Sequence, residues 1–134
     1  MRIVFFLLGI MTFLSCTQNS TTIKSDDGIK EVEKLAAEKI GEDFECHLNT
    51  SETYLLCHSV DLDARMKTPL TYFIYDLSNQ KIIQEEIIPR GTVRWKSATI
   101  LEVQTIPGIS EEGKTQEDYT YEIDVIKLTK PNQP

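Results

Sequence analysis

The chain has 134 residues, with 14 basic and 21 acidic side chains and a formal net charge of −7. Acidity of this degree excludes a nucleic-acid-binding role, which needs a basic patch to meet the phosphates. It equally excludes a protein surface that lies on anionic lipid.

The N-terminus reads MRIVFFLLGIMTFLSC, where Arg2 is the sole charge and Ile3 to Leu14 is an apolar run broken by Gly9 and Thr12. A run of that length suits the hydrophobic region of a signal peptide. It falls short of the roughly 20 residues that a membrane-spanning helix needs. No later stretch of the sequence is long enough to span either.

The run ends in Phe13-Leu14-Ser15-Cys16, and a polar segment follows at once. FLSC resembles the lipobox of bacterial lipoproteins, with the small Ser15 before the cysteine. Phe13 stands where that family usually has Leu, and Leu14 is bulkier than its usual neighbour. The resemblance covers the first 16 residues and none of the chain behind them. It implies that Cys16 receives a diacylglycerol, that residues 1–15 are removed as a signal peptide, and that the new amine is acylated. The expected address is then the cell envelope, lipid-anchored, with the outer membrane as the expected membrane. Two or three acyl chains anchor stably where one binds marginally, at about 0.8 kcal/mol for each buried CH2.

Residues 16–27 read as the lipidated cysteine and a flexible tether. From Thr17 to Asp27, Ile23 is the one large apolar residue, and such a segment cannot bury enough to fold alone. From Gly28 to Ile40 the pattern changes. Ile29, Val32, Leu35, Ala36 and Ile40 recur on one face at helical period, with charged residues mostly elsewhere. Gly41 follows where a helix-ending glycine is expected. This amphipathic helix needs a surface to pack on.

A sheet supplies it. Residues 54–60, 70–76, 81–88, 99–105 and 119–125 are rich in aromatic and β-branched side chains and are bounded by turn formers. The last alternates, with Tyr119, Tyr121, Ile123 and Val125 on one face. That pattern predicts an antiparallel sheet with one wet side. No helical segment separates these strands, so parallel βαβ topology is excluded. The expected domain is α+β, mainly β, over residues 28–130. It has one N-terminal amphipathic helix packed on an antiparallel β-meander of five to six strands, with 131–134 as a tail.

The stretch ECHLNTSETYLLCH, residues 45–58, holds two Cys-His dipeptides. A hairpin centred between Ser51 and Glu52 puts Cys46 opposite Cys57 and Leu48 opposite Leu55. Opposed residues have Cα atoms about 4.5–5.5 Å apart, and a disulfide needs about 4.4–6.8 Å. In an exported chain such a pair oxidises. The loop it closes is worth roughly 3 kcal/mol. A Cys2His2 zinc site needs four convergent ligands, whereas neighbours on a strand point to opposite faces. His47 and His58 are therefore expected on the face away from the cysteines, as exposed strand residues.

No catalytic constellation is legible. His58, Ser59 and Asp61 are adjacent in sequence, which does not make a triad. Asp61-Leu62-Asp63 lacks the further oxygen ligands and glycine of a calcium loop. Trp95 is a possible partner contact, or else packing. The sequence thus predicts a membrane-anchored binding or structural module without cofactor, metal or enzymatic activity. An inhibitor or immunity-type lipoprotein that blocks a hydrolase or toxin is the alternative.

Overall fold

The computed structural model describes residues 23–61 and 68–129. Among the described residues, seven strands carry the fold: β1 (Phe44–Leu48), β2 (Tyr54–Ser59), β3 (Leu70–Asp76), β4 (Lys81–Ile88), β5 (Gly91–Trp95), β6 (Ile100–Thr105) and β7 (Thr120–Asp124). Two helices accompany them, α1 (Ile23–Lys39) and α2 (Val125–Thr129), with a 3-10 turn at Gln116–Tyr119. The architecture is α+β and mainly β, and every strand pair is antiparallel. Of the expected tether, residues 16–22 lie outside the described residues, and α1 includes Ile23 to Asp27 at its start.

One expectation is corrected. The strands do not form a single meander of five to six. They form two sheets, ordered β1-β2-β3-β4 and β5-β6-β7. The break falls at Pro89-Arg90, between β4 and β5. Proline has no N–H to give to a ladder. Gly91 then begins β5, and a Cβ placed there would lie 2.3 Å from the Gln104 carbonyl oxygen. Only a residue without a side chain lets β5 close on β6 at that point. The segment Gly-Thr-Val-Arg-Trp is the additional strand.

The two central strands of the larger sheet explain why a second sheet is needed. Consecutive strand residues face opposite sides, yet Leu55, Leu56 and Cys57 in β2 and Tyr72, Phe73 and Ile74 in β3 are all buried. Leu55, Cys57 and Phe73 join Val32 and Ala36 of α1 in one apolar cluster. Leu56, Tyr72 and Ile74 join Val93, Leu101 and Val103 of the smaller sheet, with Val125, in the other. Each such side chain contributes about 1.5–3 kcal/mol on leaving water, so neither face can stay wet.

β7 departs from its expected alternation. It stops at Asp124, and Val125 is buried as the first residue of α2. The Asp124 carboxylate accepts the Ile126 N–H, and the Val125 N–H donates to the Thr99 carbonyl. These two bonds turn the chain out of the strand. Tyr121, expected inside, is exposed.

The hairpin between β1 and β2 is joined to the smaller sheet by Asn49. This turn residue is 2% exposed. Its Oδ1 accepts the N–H groups of Thr53 and Tyr54 at 2.9 and 3.0 Å, and its Nδ2 donates to the Ala98 carbonyl at 2.6 Å. Ser51 Oγ and Thr53 Oγ1 lie within reach of the same nitrogen. Each buried group left without a partner costs about 1–3 kcal/mol. Asn49→Ala is therefore expected to lower stability by about 3 kcal/mol in a urea titration, far more than the few tenths typical of an exposed turn residue.

Candidate functional site

The β1–β2 ladder pairs Phe44 with Ser59, Glu45 with His58, Cys46 with Cys57, His47 with Leu56 and Leu48 with Leu55. This register follows from a hairpin centred between Ser51 and Glu52. Glu52 takes a positive φ of 54° to make the turn. The opposed cysteines are bonded as a disulfide, with Cα atoms 4.1 Å apart. Cys57 is fully buried and faces α1.

Strand parity sends the residues beside the cysteines to the other face. Three of them gather there. His47 and His58 stack with ring centroids 5.4 Å apart and an interplanar angle of 22°. Glu45 joins them, its carboxylate accepting from His47 Nε2 at 3.2 Å. One ligand atom from each of Glu45, His47 and His58 lies within 4.8 Å of the other two. His58 donates its Nδ1–H to the Ser59 carbonyl at 2.9 Å. That bond places a proton on Nδ1 and leaves Nε2 as the nitrogen free to accept in the neutral ring. His47 and Glu45 are exposed, and His58 is half-buried.

The parity that separates the cysteines from the histidines also brings Glu45 to the face of the histidines. If residues summing to 103 are opposed, Glu45 faces His58, and His47 lies diagonally beside His58. Diagonal neighbours on one face are about 7–8 Å apart at Cα, within reach of long side chains. The three-residue cluster was legible in the spacing.

A cavity of about 320 Å3 opens beside the cluster, between the two sheets. Glu45 and His58 line it together with Leu70, Gly91, Thr92 and Val93. Ser59 sits on the same rim, but its hydroxyl donates to the Pro69 carbonyl and accepts the Thr71 N–H. The His58 ring turns to the Ser59 carbonyl, so the two side chains are not linked as base and nucleophile. Asp61 also borders the cavity, while Leu62 and Asp63 lie outside the described residues. Cys16 lies outside them too.

Trp95 is half-buried at the end of β5. Its indole N–H donates to the His47 carbonyl at 2.9 Å, and its ring packs on the cluster between the sheets. The bond pins the β1 edge to the smaller sheet, directly behind His47.

A second polar group bridges the sheets. Glu86 of β4 accepts hydrogen bonds from Tyr72 at 2.7 Å and from Tyr121 of β7 at 3.0 Å, both on Oε2. This partner draws the Tyr121 ring to the surface. Burial, then the neighbouring Glu86 carboxylate, holds the Tyr72 phenol far above its usual range. The same causes push Tyr121 up to about 12.

No protein-family model, curated protein or solved structure matches the chain. The site therefore has to be read from its own chemistry.

Two outcomes are expected. A reducing agent lowers the melting temperature, and the double variant Cys46→Ser/Cys57→Ser, weaker by roughly 3 kcal/mol, no longer responds to it. The tyrosine pair gives an alkaline limit. Both phenols bind their protons more tightly folded than unfolded. The stability this contributes is complete below about pH 10 and is lost as pH rises through about 12. Tyrosinate absorbance should show the late step, and Glu86→Gln should move Tyr121 back toward 10.

Proposed function

We propose that the protein is a small lipid-anchored module of the cell envelope, held to the outer membrane by acyl chains on Cys16 and acting by binding rather than by catalysis. One observation carries the reading. Two of the chain's three cysteines are joined to each other, and the remaining one stands at the end of the apolar run in a lipobox-like FLSC. A disulfide between adjacent strands suits a chain that folds in an oxidising compartment. A thiol at the boundary between an apolar run and a polar segment suits acylation. Among the described residues no helix is long and apolar enough to cross a membrane, so lipid is the anchor this reading supplies.

Binding is favoured by the cavity between the sheets, whose rim carries a few convergent polar groups over an apolar floor. On membrane fractionation the full protein is expected in the membrane pellet with an acyl mass on Cys16. Cys16→Ser should release it to the soluble fraction. Recovery of a processed chain without lipid on Cys16 would refute the anchor.

We also read α1 as part of the folded unit rather than of the tether. The supporting features are Val32 and Ala36 in the apolar cluster with Phe73 and the 2.9 Å ion pair between Lys39 and Glu85 of β4. Val32→Asp is expected to cost several kcal/mol, because it buries an unpaired carboxylate. Glu33→Lys on the exposed side should cost under about 0.5 kcal/mol. Equal melting temperatures for the two variants would place α1 with the tether.

A further inference from the structure

We propose that Glu45, His47 and His58 form a binding site for a divalent first-row transition ion, of which zinc is the natural probe. The inference stands on the hairpin alone and does not depend on where the protein is anchored.

The donor set decides the class of ion. Two imidazoles and one carboxylate suit zinc, copper, nickel or iron, whereas calcium and magnesium prefer all-oxygen sites. The cysteine sulfurs are bonded to each other on the opposite face, so thiolate ligation is excluded. What remains is a three-ligand site with one position open, the arrangement that binds water or an exchangeable ligand.

The geometry lies close to what an ion needs. In a tetrahedral site with metal–nitrogen bonds of about 2.0–2.1 Å, ligand atoms sit about 3.3 Å apart. Here they lie within 4.8 Å of one another before any ion is added. Closing that gap asks for a side-chain adjustment of about an ångström. Glu45 and His47, the two exposed members, have room to make it.

The third member is prepared. His58 already gives its Nδ1–H to a backbone carbonyl. Metal-ligating histidines commonly make this outer bond, because it orients the ring and raises the basicity of the free nitrogen. His47 Nε2 now shares its proton with Glu45. An arriving ion takes the Nε2 lone pair of the neutral ring once its proton is carried on Nδ1 instead, and both groups turn from each other to the metal.

The backbone is fixed from behind. The Cys46–Cys57 bridge lies in the ladder between the Glu45–His58 pair and the His47–Leu56 pair. It locks the register that makes the three side chains neighbours. The Trp95 bond to the His47 carbonyl holds the same strand from the other sheet. Glu45 and His58 also line the cavity, so an ion held by them would border it. A small anion or carbonyl-bearing ligand entering there could complete the shell.

The test is calorimetric titration of the full chain in detergent with zinc alone, beside calcium and magnesium. The expected result is saturable binding of one zinc per chain and no comparable binding of the other two ions. His47→Ala and His58→Ala should each weaken zinc at least about tenfold, since loss of even an outer-shell partner costs about 10–100-fold. Glu45→Gln should weaken it less. The chain has two histidines, and zinc should shift the imidazole-ring proton resonances of both together, a readout that needs no variant. Absence of stoichiometric binding would overturn the proposal. So would zinc affinity unchanged in the His47→Ala/His58→Ala variant, or a resonance shift confined to one ring.

Discussion

Leu55, Leu56 and Cys57 are three consecutive residues with almost no access to water, and in a strand consecutive side chains point to opposite sides. This constraint shapes the rest of the molecule. A sheet whose central strands are apolar on both faces cannot present a wet side, so it must be covered twice. The smaller sheet covers one face, and on the other Leu55, Cys57 and Phe73 lie in a cluster with Val32 and Ala36. The covering layers are then tied on by polar contacts placed where the strands end. Asn49 reaches the Ala98 carbonyl, Trp95 reaches the His47 carbonyl, and Glu86 joins Tyr72 to Tyr121.

The cover over the first sheet is incomplete, and its gap coincides with the chemistry. β1 is an edge strand. The smaller sheet packs over β2, β3 and β4 but leaves Glu45 and His47 in solvent. Side chains that share the face of the inter-sheet core are thus displayed at its rim instead of being buried in it. The disulfide beneath them removes the slack that an edge hairpin would otherwise have. A disulfide-braced hairpin that gathers one carboxylate and two imidazoles, exposed or half-exposed, is unlike an ordinary charged surface. The usual exposed ion pair, such as Arg94 with Glu102 on the smaller sheet, contributes at most about 1 kcal/mol and organises nothing around it.

Local geometry was readable in the sequence where one rule sufficed. The turn formers Asn49 to Glu52 and the spacing of the two cysteines set the hairpin register, and the structure carries that register residue for residue. The antiparallel, mainly-β character followed from strands without intervening helices. The division into two sheets did not, because it depends on which strands pack face to face rather than on any one segment. In Gly91 to Trp95 the apolar Val93 and Trp95 alternate with Thr92 and Arg94 over only five residues, and what the apolar pair packs on is a sheet distant in sequence. The burial of Asn49 is hidden from the sequence for a related reason. Turn propensity describes its backbone, while its burial comes from a partner 49 residues away. Val125 continued an apolar alternation, and the Asp124 side chain broke it by capping the next turn.

The order of strands in each sheet is the order of strands in the chain. Every hairpin therefore joins segments that are close along the backbone, and little loop entropy is lost in closing any of them. Each sheet can assemble by successive zippering from its turns. The bonds that span nearly fifty residues, from Asn49 to Ala98 and from His47 to Trp95, form only when one assembled sheet docks on the other. Docking is thus the step at which conformational search is spent. In a chain made N-terminus first, the larger sheet is complete and able to close before β5 to β7 have appeared. Its hairpin can be oxidised while the surface that will receive the second sheet is still open.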